Sequence, residues 1–416
     1  MIQFSQYLNF EKVLKIIVIS FPFTFVIGSA LVNLYTAFFL IFFFFQFKNI
    51  YRTFDKSLVI CPIIIWTYLV LITFFSNYPY IKSYNYENLL KSIFYLRILI
   101  LPIILAYVFS LYFNLRKKIF NTLVALTIII SLDVVFQFIF GFNIIGLESR
   151  MAGLRNSSFF GSELISGSFI SKFSTLLFAF SIVYQSNNKM YEKLIFLMPL
   201  LVVCSTLLSG ERMALLNTLF SFFLFFIFLK QKKYFLLLPI IFIILGFITF
   251  SSENLKKRII YNTGAHLIGV ENYEKAPNPK NILMNLENGF HAKIFLNSFQ
   301  LTRSSPIFGN GIKSFRYRCI ELQIKNCSTH PHNMYMELLH DGGIILLLSY
   351  YVYFILMLFN NFKQKINNYY NLSIIVMLIV FLNPLQITGS IFSTWYASLI
   401  FFIFSLTLFP KTINKF

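Results

Sequence analysis

The sequence predicts an all-α, polytopic membrane protein with about 12 transmembrane helices and one long, partly helical outer loop. Of the 416 residues, 57% are hydrophobic, 12% are charged and 55 are Phe, and the mean hydropathy is +0.72. A soluble globule could not bury so much apolar surface, so this composition excludes a soluble domain. Apolar runs of about 17–23 residues, each long enough to cross a hydrocarbon core of about 30 Å as a helix, recur along the chain.

These runs give the expected order of the spans. Residues 1–250 hold helices 1–9, residues 251–342 form the outer loop, and residues 343–416 hold helices 10–12. The predicted spans are 13–30, 31–47, 57–76, 91–112, 119–141, 168–185, 193–208, 213–229, 234–250, 343–360, 371–388 and 390–409.

Basic residues in the short connections predict the orientation, because Lys and Arg are enriched on the cytoplasmic side. Both termini are therefore expected in the cytoplasm, and the first span directs insertion without a cleavable signal peptide. The net charge of +20 is then a topological signal with affinity for anionic lipid headgroups, and no nucleic-acid pattern accompanies it. The basic residues expected inside are Lys12, Lys15, Lys48, Arg52, Lys56, Arg116, Lys117, Lys118, Lys189, Lys193, Lys230, Lys232, Lys233, Lys363, Lys365, Lys411 and Lys415.

Two cysteines of the outer loop, Cys319 and Cys327, lie eight residues apart just before a histidine motif. An oxidising outer compartment permits a disulfide between them, which would hold the following segment in place. The alternative is a metal site that adds His330 and His332. Its spacing, C-x7-C-x2-H-x-H, matches no common zinc pattern.

The histidine motif runs from His330 through His332 and His340 to Gly343, and it ends at the start of the predicted span 343–360. Asn333 is suited to cap a helix over residues 334–339, which would fix His332 directly before a helix start at the membrane surface. The alternative is that His332 is an ordinary loop residue. For His330 and His340 the solvated or structural interpretation is favoured.

Four arginines are expected at the same membrane level as this motif: Arg97 in the fourth span, Arg150 and Arg155 after the fifth, and Arg212 at the start of the eighth. A positive charge at a helix N-terminus opposes the helix dipole, so Arg212 would benefit from a nearby anion. It could instead anchor to lipid headgroups.

Asp133 and Gln137 are four residues apart on one face of the fifth span, which should point inward. A charge within a span is costly, by about 2.5 kcal/mol or more, so Arg97 and Asp133 could also simply neutralise each other.

In their order and placement, these motifs resemble the O-antigen ligase and Wzy polymerase superfamily, over roughly residues 130–345 and in the twelve-span layout. The strings are Asp133…Gln137…Gly141-Phe-Asn; Arg150…Gly153…Phe160-Gly-Ser-Glu163…Gly167; Arg212 followed by three residues and Leu216; Phe308-Gly-Asn-Gly…Phe315-Arg-Tyr-Arg-Cys319; and His332-Asn333 followed by nine residues and Gly343.

The resemblance implies a glycosyltransferase of the bacterial inner membrane, with its active site at the periplasmic face and the long loop in the periplasm. Its donor would be a glycan linked to undecaprenyl diphosphate. The acceptor would be a lipid A-core sugar for a ligase, or another lipid-linked glycan for a polymerase. Leu346 stands where the ligase pattern often has a second glycine, so the polymerase stays open.

The chemistry assigns roles to the same residues. Arginine forks bind phosphate oxygens in pairs, and a histidine that titrates near neutral pH can orient or deprotonate an acceptor hydroxyl. No Asp-x-Asp motif lies on the outer side, so neither a metal nor a cofactor is expected. The assigned residues are His332 and Arg212 for catalysis, Arg150, Arg155, Arg212 and Arg97 for the donor diphosphate, and Asn333, His330, Glu163, Asp133 and Gly343 in support.

Two other classes remain possible. A polysaccharide transporter or flippase would also be basic with many spans, but should show repeat symmetry and binding residues near the membrane midplane. Here the polar groups gather at one face. A scaffold protein would not need the set of arginines.

Overall fold

The computed structural model describes residues 2–77, 83–151, 153–185, 189–229, 237–269, 286–324, 327–362 and 369–411. These residues form helices without a strand, and two isolated bridges pair Phe142 with Glu148 and Arg150 with Arg155. The all-helical class is therefore confirmed. Some residues used to predict orientation lie outside the described ranges, namely Lys230, Lys232, Lys233, Lys363, Lys365 and Lys415.

Eighteen helices are described in chain order, and a π-helical turn at Lys257–Tyr261 joins the twelfth to the thirteenth. They are α1 (Ile2–Ile27), α2 (Ser29–Thr53), α3 (Lys56–Asn77), α4 (Ser83–Phe94), α5 (Leu96–Leu99), α6 (Leu101–Leu111), α7 (Phe113–Phe140), α8 (Ser166–Gln185), α9 (Lys189–Leu208), α10 (Arg212–Leu229), α11 (Leu237–Ser251), α12 (Glu253–Lys256), α13 (Asn262–Ile268), α14 (Phe290–Thr302), α15 (Phe315–Glu321), α16 (Met334–Phe362), α17 (Tyr369–Phe381) and α18 (Thr394–Ser405).

Within the described residues, seven helical stretches are long and apolar enough to cross a membrane, or eight if the bent pair α11 and α12–α13 is one span. Three shorter apolar helices lie at Leu197–Leu208, Tyr369–Phe381 and Thr394–Ser405. The count of about 12 spans stays a prediction. The seven are Ser29–Thr53, Lys56–Ser76, Tyr86–Leu111, Asn114–Phe140, Ser166–Val183, Arg212–Leu229 and Met334–Asn360.

The chain divides into two compact units. The first unit contains residues 1–116, 290–365 and 384–416, and the second contains residues 117–289 and 366–383. The division predicted from the sequence, at residues 250 and 342, follows membrane topology and stays a prediction.

Aromatic side chains form much of the core of the first unit. The ring of Phe21 lies 5.5 Å from that of Phe39 and 5.5 Å from that of Phe402. The indole of Trp395 donates to the carbonyl of Phe25 at 2.8 Å. These contacts join the last helix, α18, to the first two.

Several span boundaries differ from the prediction. The predicted span 343–360 belongs to a helix that begins at Met334 and is kinked at Gly343 (φ 66°). The predicted span 371–388 stops as a helix at Phe381. Pro384 has no N–H to continue the ladder and disfavours helical backbone in the residue before it. The last predicted span, 390–409, is a shorter helix, α18.

In the second unit, α8 packs against α9, α10 and α17. Gly210 separates α9 from α10 with φ 73°, and a side chain there would meet the carbonyl of Leu154. The chain then bends by 106° between α11 and the helices that follow. Ser252 lies at this bend and caps α12 by accepting from the N–H of Leu255 at 3.4 Å.

Candidate functional site

In the first unit, Asn333 caps α16 as the sequence predicts. Its side-chain oxygen accepts from the N–H groups of Tyr335 at 3.0 Å and Met336 at 3.1 Å. His332 therefore lies directly before the helix start. Its backbone has φ 55°, in the left-handed region.

Cys319 and Cys327 form a disulfide with a Cα–Cα distance of 6.0 Å. The bond belongs to a small core with Ile294, Leu301 and Phe315. Sulfur atoms bonded to each other cannot serve as thiolate ligands, so the alternative Cys/His metal site is not formed. Among the described residues, no group of three or more His, Cys, Asp or Glu could hold a metal ion.

Three imidazoles lie together beside the cap, and we refer to His291, His330 and His332 as the histidine cluster. The ring of His332 lies 4.2 Å from that of His330 and 5.7 Å from that of His291, between centroids. His332 Nε2 is 2.9 Å from the hydroxyl of Ser328. Neither His291 nor Ser328 was predicted, because no motif marks them.

Partial burial keeps two of these rings neutral. Burial, together with the neighbouring His332, lowers the pKa of His330 to about 4. Burial also lowers the pKa of His332. At neutral pH both rings are therefore uncharged, and a neutral imidazole can accept a proton.

A non-helical stretch, which we name the 384–391 segment, lies against the histidine motif. The Asn333 side chain donates to the carbonyls of Pro384 at 2.6 Å and Gln386 at 3.2 Å. The N–H of Thr388 donates to the carbonyl of His332 at 2.8 Å. The apolar run up to residue 388 predicts a continuous span, so this contact was not expected from the sequence.

His340 is fully buried, and its Nδ1 lies 2.8 Å from the carboxylate of Asp341, which is also fully buried. That carboxylate accepts from the N–H of Lys313 at 2.6 Å and the hydroxyl of Ser314 at 3.2 Å. The structural interpretation of His340 is therefore correct and the solvated one is wrong. Removing a buried partner leaves polar atoms unsatisfied, so His340→Ala should destabilise the fold.

Gly343 occupies a position that excludes a side chain. With φ 66°, a Cβ there would meet the backbone of Ile307 and Phe308. The close approach of α16 to this stretch of backbone explains the glycine of the motif.

In the second unit, Glu211 lies at the centre of a group of cations. Its carboxylate accepts from the N–H groups of Gly167 at 2.8 Å and Ser168 at 3.1 Å, at the start of α8. Burial raises the pKa of Glu211 to about 7, against the opposing charges of Arg155 and Lys172. Neither Glu211 nor Lys172 was a predicted site residue.

Two further arginines join this group. Arg212 donates to the carbonyl of Asn262 at 2.9 Å and the hydroxyl of Thr263 at 3.3 Å. Arg258, which is 7% exposed, donates through Nε to the carbonyl of Gly210 at 3.0 Å. It interacts electrostatically with Arg212, Arg155 and Glu211. We name Arg155, Lys172, Arg212 and Arg258 around Glu211 the cationic cluster.

Among the predicted arginines, Arg155 belongs to the cationic cluster, whereas Arg150 and Arg97 lie in different surroundings. Arg155 donates to the carbonyl of Leu164 at 2.8 Å, and burial lowers its pKa. Arg150 pairs with Arg155 through both backbone hydrogen bonds, at 2.8 and 3.1 Å, while its side chain is exposed. The Glu163 side chain is also exposed. Arg97 belongs to the first unit, where it donates to Asn33 at 2.5 Å.

Asp133 is fully buried and holds a loop in place. It accepts from the hydroxyl of Ser158 at 2.5 Å, the N–H of Ile144 at 3.0 Å and the side chain of Asn143 at 3.4 Å. Gln137, on the same helical face, accepts from the N–H of Ser158 at 2.7 Å. Arg97 and Asp133 thus each find partners within their own unit, and the predicted inward-facing pair on α7 is correct.

Residues 197–351 match the O-antigen ligase family model. The matched segment begins within α9 and ends within α16, so it contains Glu211, Arg212, Arg258, His332 and Gly343. No curated protein matches the chain.

Proposed function

We propose that this chain, which carries an O-antigen ligase domain across residues 197–351, is a glycosyltransferase of the bacterial inner membrane that acts in lipopolysaccharide biosynthesis. It transfers a glycan from undecaprenyl diphosphate to a lipid A-core acceptor. The reaction takes place at the periplasmic face, and both termini lie in the cytoplasm.

The observation that carries the proposal is the cationic cluster. Arg155, Lys172 and Arg258 interact electrostatically with Glu211, and Arg212 interacts with Arg155 and Arg258. Three guanidinium groups and one ammonium group thus share a single carboxylate, so positive charge is in excess there. Such an excess within partly buried surroundings is costly unless an anion balances it. A diphosphate supplies that balance, and planar guanidinium groups bind its oxygens in pairs.

A glycan bonded to a diphosphate already carries its leaving group. As the bond from the anomeric carbon to the phosphate oxygen breaks, the electron pair leaves with the diphosphate, and negative charge develops there. The cationic cluster stabilises this charge. Arg212 and Arg155 bind the diphosphate, Arg258 joins them, and the exposed Arg150 makes a smaller contribution.

The histidine cluster serves the acceptor. The acceptor hydroxyl oxygen forms the new bond to the anomeric carbon, and its proton passes to the neutral ring of His332. His330 and Ser328 orient that ring through direct contacts. Neither step calls on a metal.

A polymerase differs only in its acceptor, which is the end of another lipid-linked glycan. Leu346 is the feature that favours this second candidate, because it is fully buried where the ligase pattern often has glycine. The two functions leave different products on the cell surface, so one experiment separates them.

The test is deletion of the gene followed by electrophoresis of the lipopolysaccharide. A ligase deletion should remove all attached O-chains and let lipid-linked polymer accumulate. A polymerase deletion should leave a single attached repeat. An unchanged ladder would contradict both assignments. Complementation with the Arg212→Lys variant, which keeps the charge and loses the planar fork, should restore only a weak ladder.

A further inference from the structure

The backbone of His332 is strained. Its φ of 55° lies in the left-handed region, which residues other than glycine seldom adopt. Such a conformation persists only when the surrounding contacts fix it. The contacts that fix His332 therefore control where its ring points.

The 384–391 segment supplies contacts on both sides of the motif. The N–H of Thr388 donates to the carbonyl of His332 itself, at 2.8 Å. The carbonyl of Thr388 accepts from His330 Nε2 at 3.4 Å. One residue of the segment thus binds the backbone of one histidine and the ring of the other.

Glu337 anchors the segment just beyond Thr388. This residue is only 2% exposed, and it lies on α16, five positions after His332. Its carboxylate accepts from the hydroxyl of Ser390 at 2.5 Å and the N–H of Ile391 at 2.8 Å. A buried carboxylate is costly without such donors, and the proposed reaction assigns Glu337 no proton or phosphate. Its two bonds point to a role in holding the segment.

We propose that Glu337 is a positioning residue, which anchors the 384–391 segment so that Thr388 holds His332 in its left-handed conformation. The inference rests on the proposed function, in which His332 receives the acceptor proton. The family model matches residues 197–351. The inference therefore extends the reactive part of the chain to a segment outside that match.

The first test compares Ser390→Ala and Glu337→Leu with a matched control, Ser349→Ala. The Ser349 hydroxyl lies on α16, as Glu337 does, but among the residues that the structure describes it bonds only to the carbonyl of Ile345 in its own helix. In a transfer assay with purified protein, lipid-linked glycan and acceptor, both test variants should lower kcat by about 10–100-fold, because small displacements of a reacting group have effects of that order. The KM for the donor should stay unchanged, and the control should match wild type.

Glu337→Gln provides the conservative rescue. Its amide oxygen can still accept from the N–H of Ile391, and the Ser390 hydroxyl can turn to accept from the amide nitrogen. This variant should therefore keep most of the activity that Glu337→Leu loses. A loss as large as that of Glu337→Leu would show that the negative charge matters and would overturn the positioning role.

A double-mutant cycle separates positioning from general stability. If Glu337 acts through His332, then Ser390→Ala or Glu337→Leu should cost little more in a His332→Ala background. Additive losses would overturn the inference. If Glu337→Leu does not fold, the cycle that combines Ser390→Ala with His332→Ala still tests the inference.

Hydrogen exchange gives a readout that is independent of transfer. Peptides covering residues 328–333 should exchange faster in Ser390→Ala than in Ser349→Ala or wild type, because the segment then holds His332 less firmly. Equal exchange in all three proteins would overturn the inference. If wild type transfers no glycan while exchange changes as expected, the proposed function fails and the positioning contact stands.

Discussion

The histidine cluster of the first unit and the cationic cluster of the second unit are fixed by different kinds of contact. The backbone carbonyl of His332 accepts from the N–H of Thr388, beside the helix cap at Asn333, and its ring contacts Ser328. The arginines are held through their side chains, which donate to backbone carbonyls of Leu164, Gly210 and Asn262. The rings of His330 and His332 are neutral at neutral pH, whereas the cationic cluster carries excess positive charge.

This difference indicates which substitutions each cluster can tolerate. A ring fixed through its backbone depends on segments that never touch the substrate, so remote substitutions should affect it. Guanidinium groups fixed through their own nitrogens depend on the shape of those side chains. Substitutions that keep the charge but change the shape should therefore be harmful in the cationic cluster.

The largest expected effect is that of His332→Ala. Transfer should fall by about 10²–10⁴-fold, as is typical when acid–base help is lost. Binding of the undecaprenyl diphosphate donor should stay close to that of wild type, because the cationic cluster is untouched. The measurements are single-turnover transfer and donor binding by the purified protein. Wild-type transfer would remove His332 from the mechanism, and lost donor binding would contradict the division of tasks between the clusters.

The next effect is that of lysine at Arg212 or Arg258. Each change keeps the charge but loses charged hydrogen bonds to backbone, so donor affinity should fall by about tenfold or more. The control is Arg303→Lys, since the Arg303 side chain is exposed and lies over the ring of Phe299. The measurement is the affinity of each of the three lysine variants for the donor. Equal affinities at all three positions would show that charge alone is sufficient.

The smallest effect is a shift in pH dependence. Burial lowers the pKa of His332 below its ordinary value of 6.5, so the ring stays neutral, and transfer stays level, as the pH falls through 6.5. The acid limb of kcat/KM should begin below that value and should be absent from the activity that His332→Ala retains. An inflection above pH 6.5 that disappears in His332→Ala would contradict a buried neutral base, whereas one that persists belongs to another group such as Glu211, whose pKa burial raises to about 7.

The stability of the folded protein should also decrease as the pH falls. The pKa of His330 is about 4 in the folded protein and about 6.5 when unfolded. Between these values the unfolded chain binds more protons, so the histidine contribution to stability is present above pH 6.5 and is lost as the pH falls toward 4. Thermal unfolding of wild type and His330→Ala over this range should show a smaller acid dependence in the variant.

Features carried by contiguous residues were predicted well. The helical class follows from apolar run length, and the cap at Asn333 follows from one residue type before a helix. The pairing of Cys319 with Cys327 required only their spacing and an expected outer location. Each of these depends on physical chemistry that acts within one stretch of chain.

Features assembled from distant stretches were missed. Arg258 lies in a π-helical turn after the 106° bend, and nothing near it in the sequence marks its approach to Gly210. The 384–391 segment is apolar enough to extend a span, yet its backbone groups bind the histidine motif instead. Glu211 precedes Arg212 directly, but its contact with α8 depends on packing that no local pattern shows.

The left-handed backbone at His332 also restricts which amino acids suit this position. Glycine adopts that conformation freely, and Asn, Asp and His are the side-chain-bearing residues enriched there. Of these four, only histidine has a side chain that ordinarily titrates near neutral pH. Backbone handedness and proton chemistry thus select the same residue. His332→Asn should therefore retain the local conformation better than His332→Ala, and so isolate the loss of the imidazole.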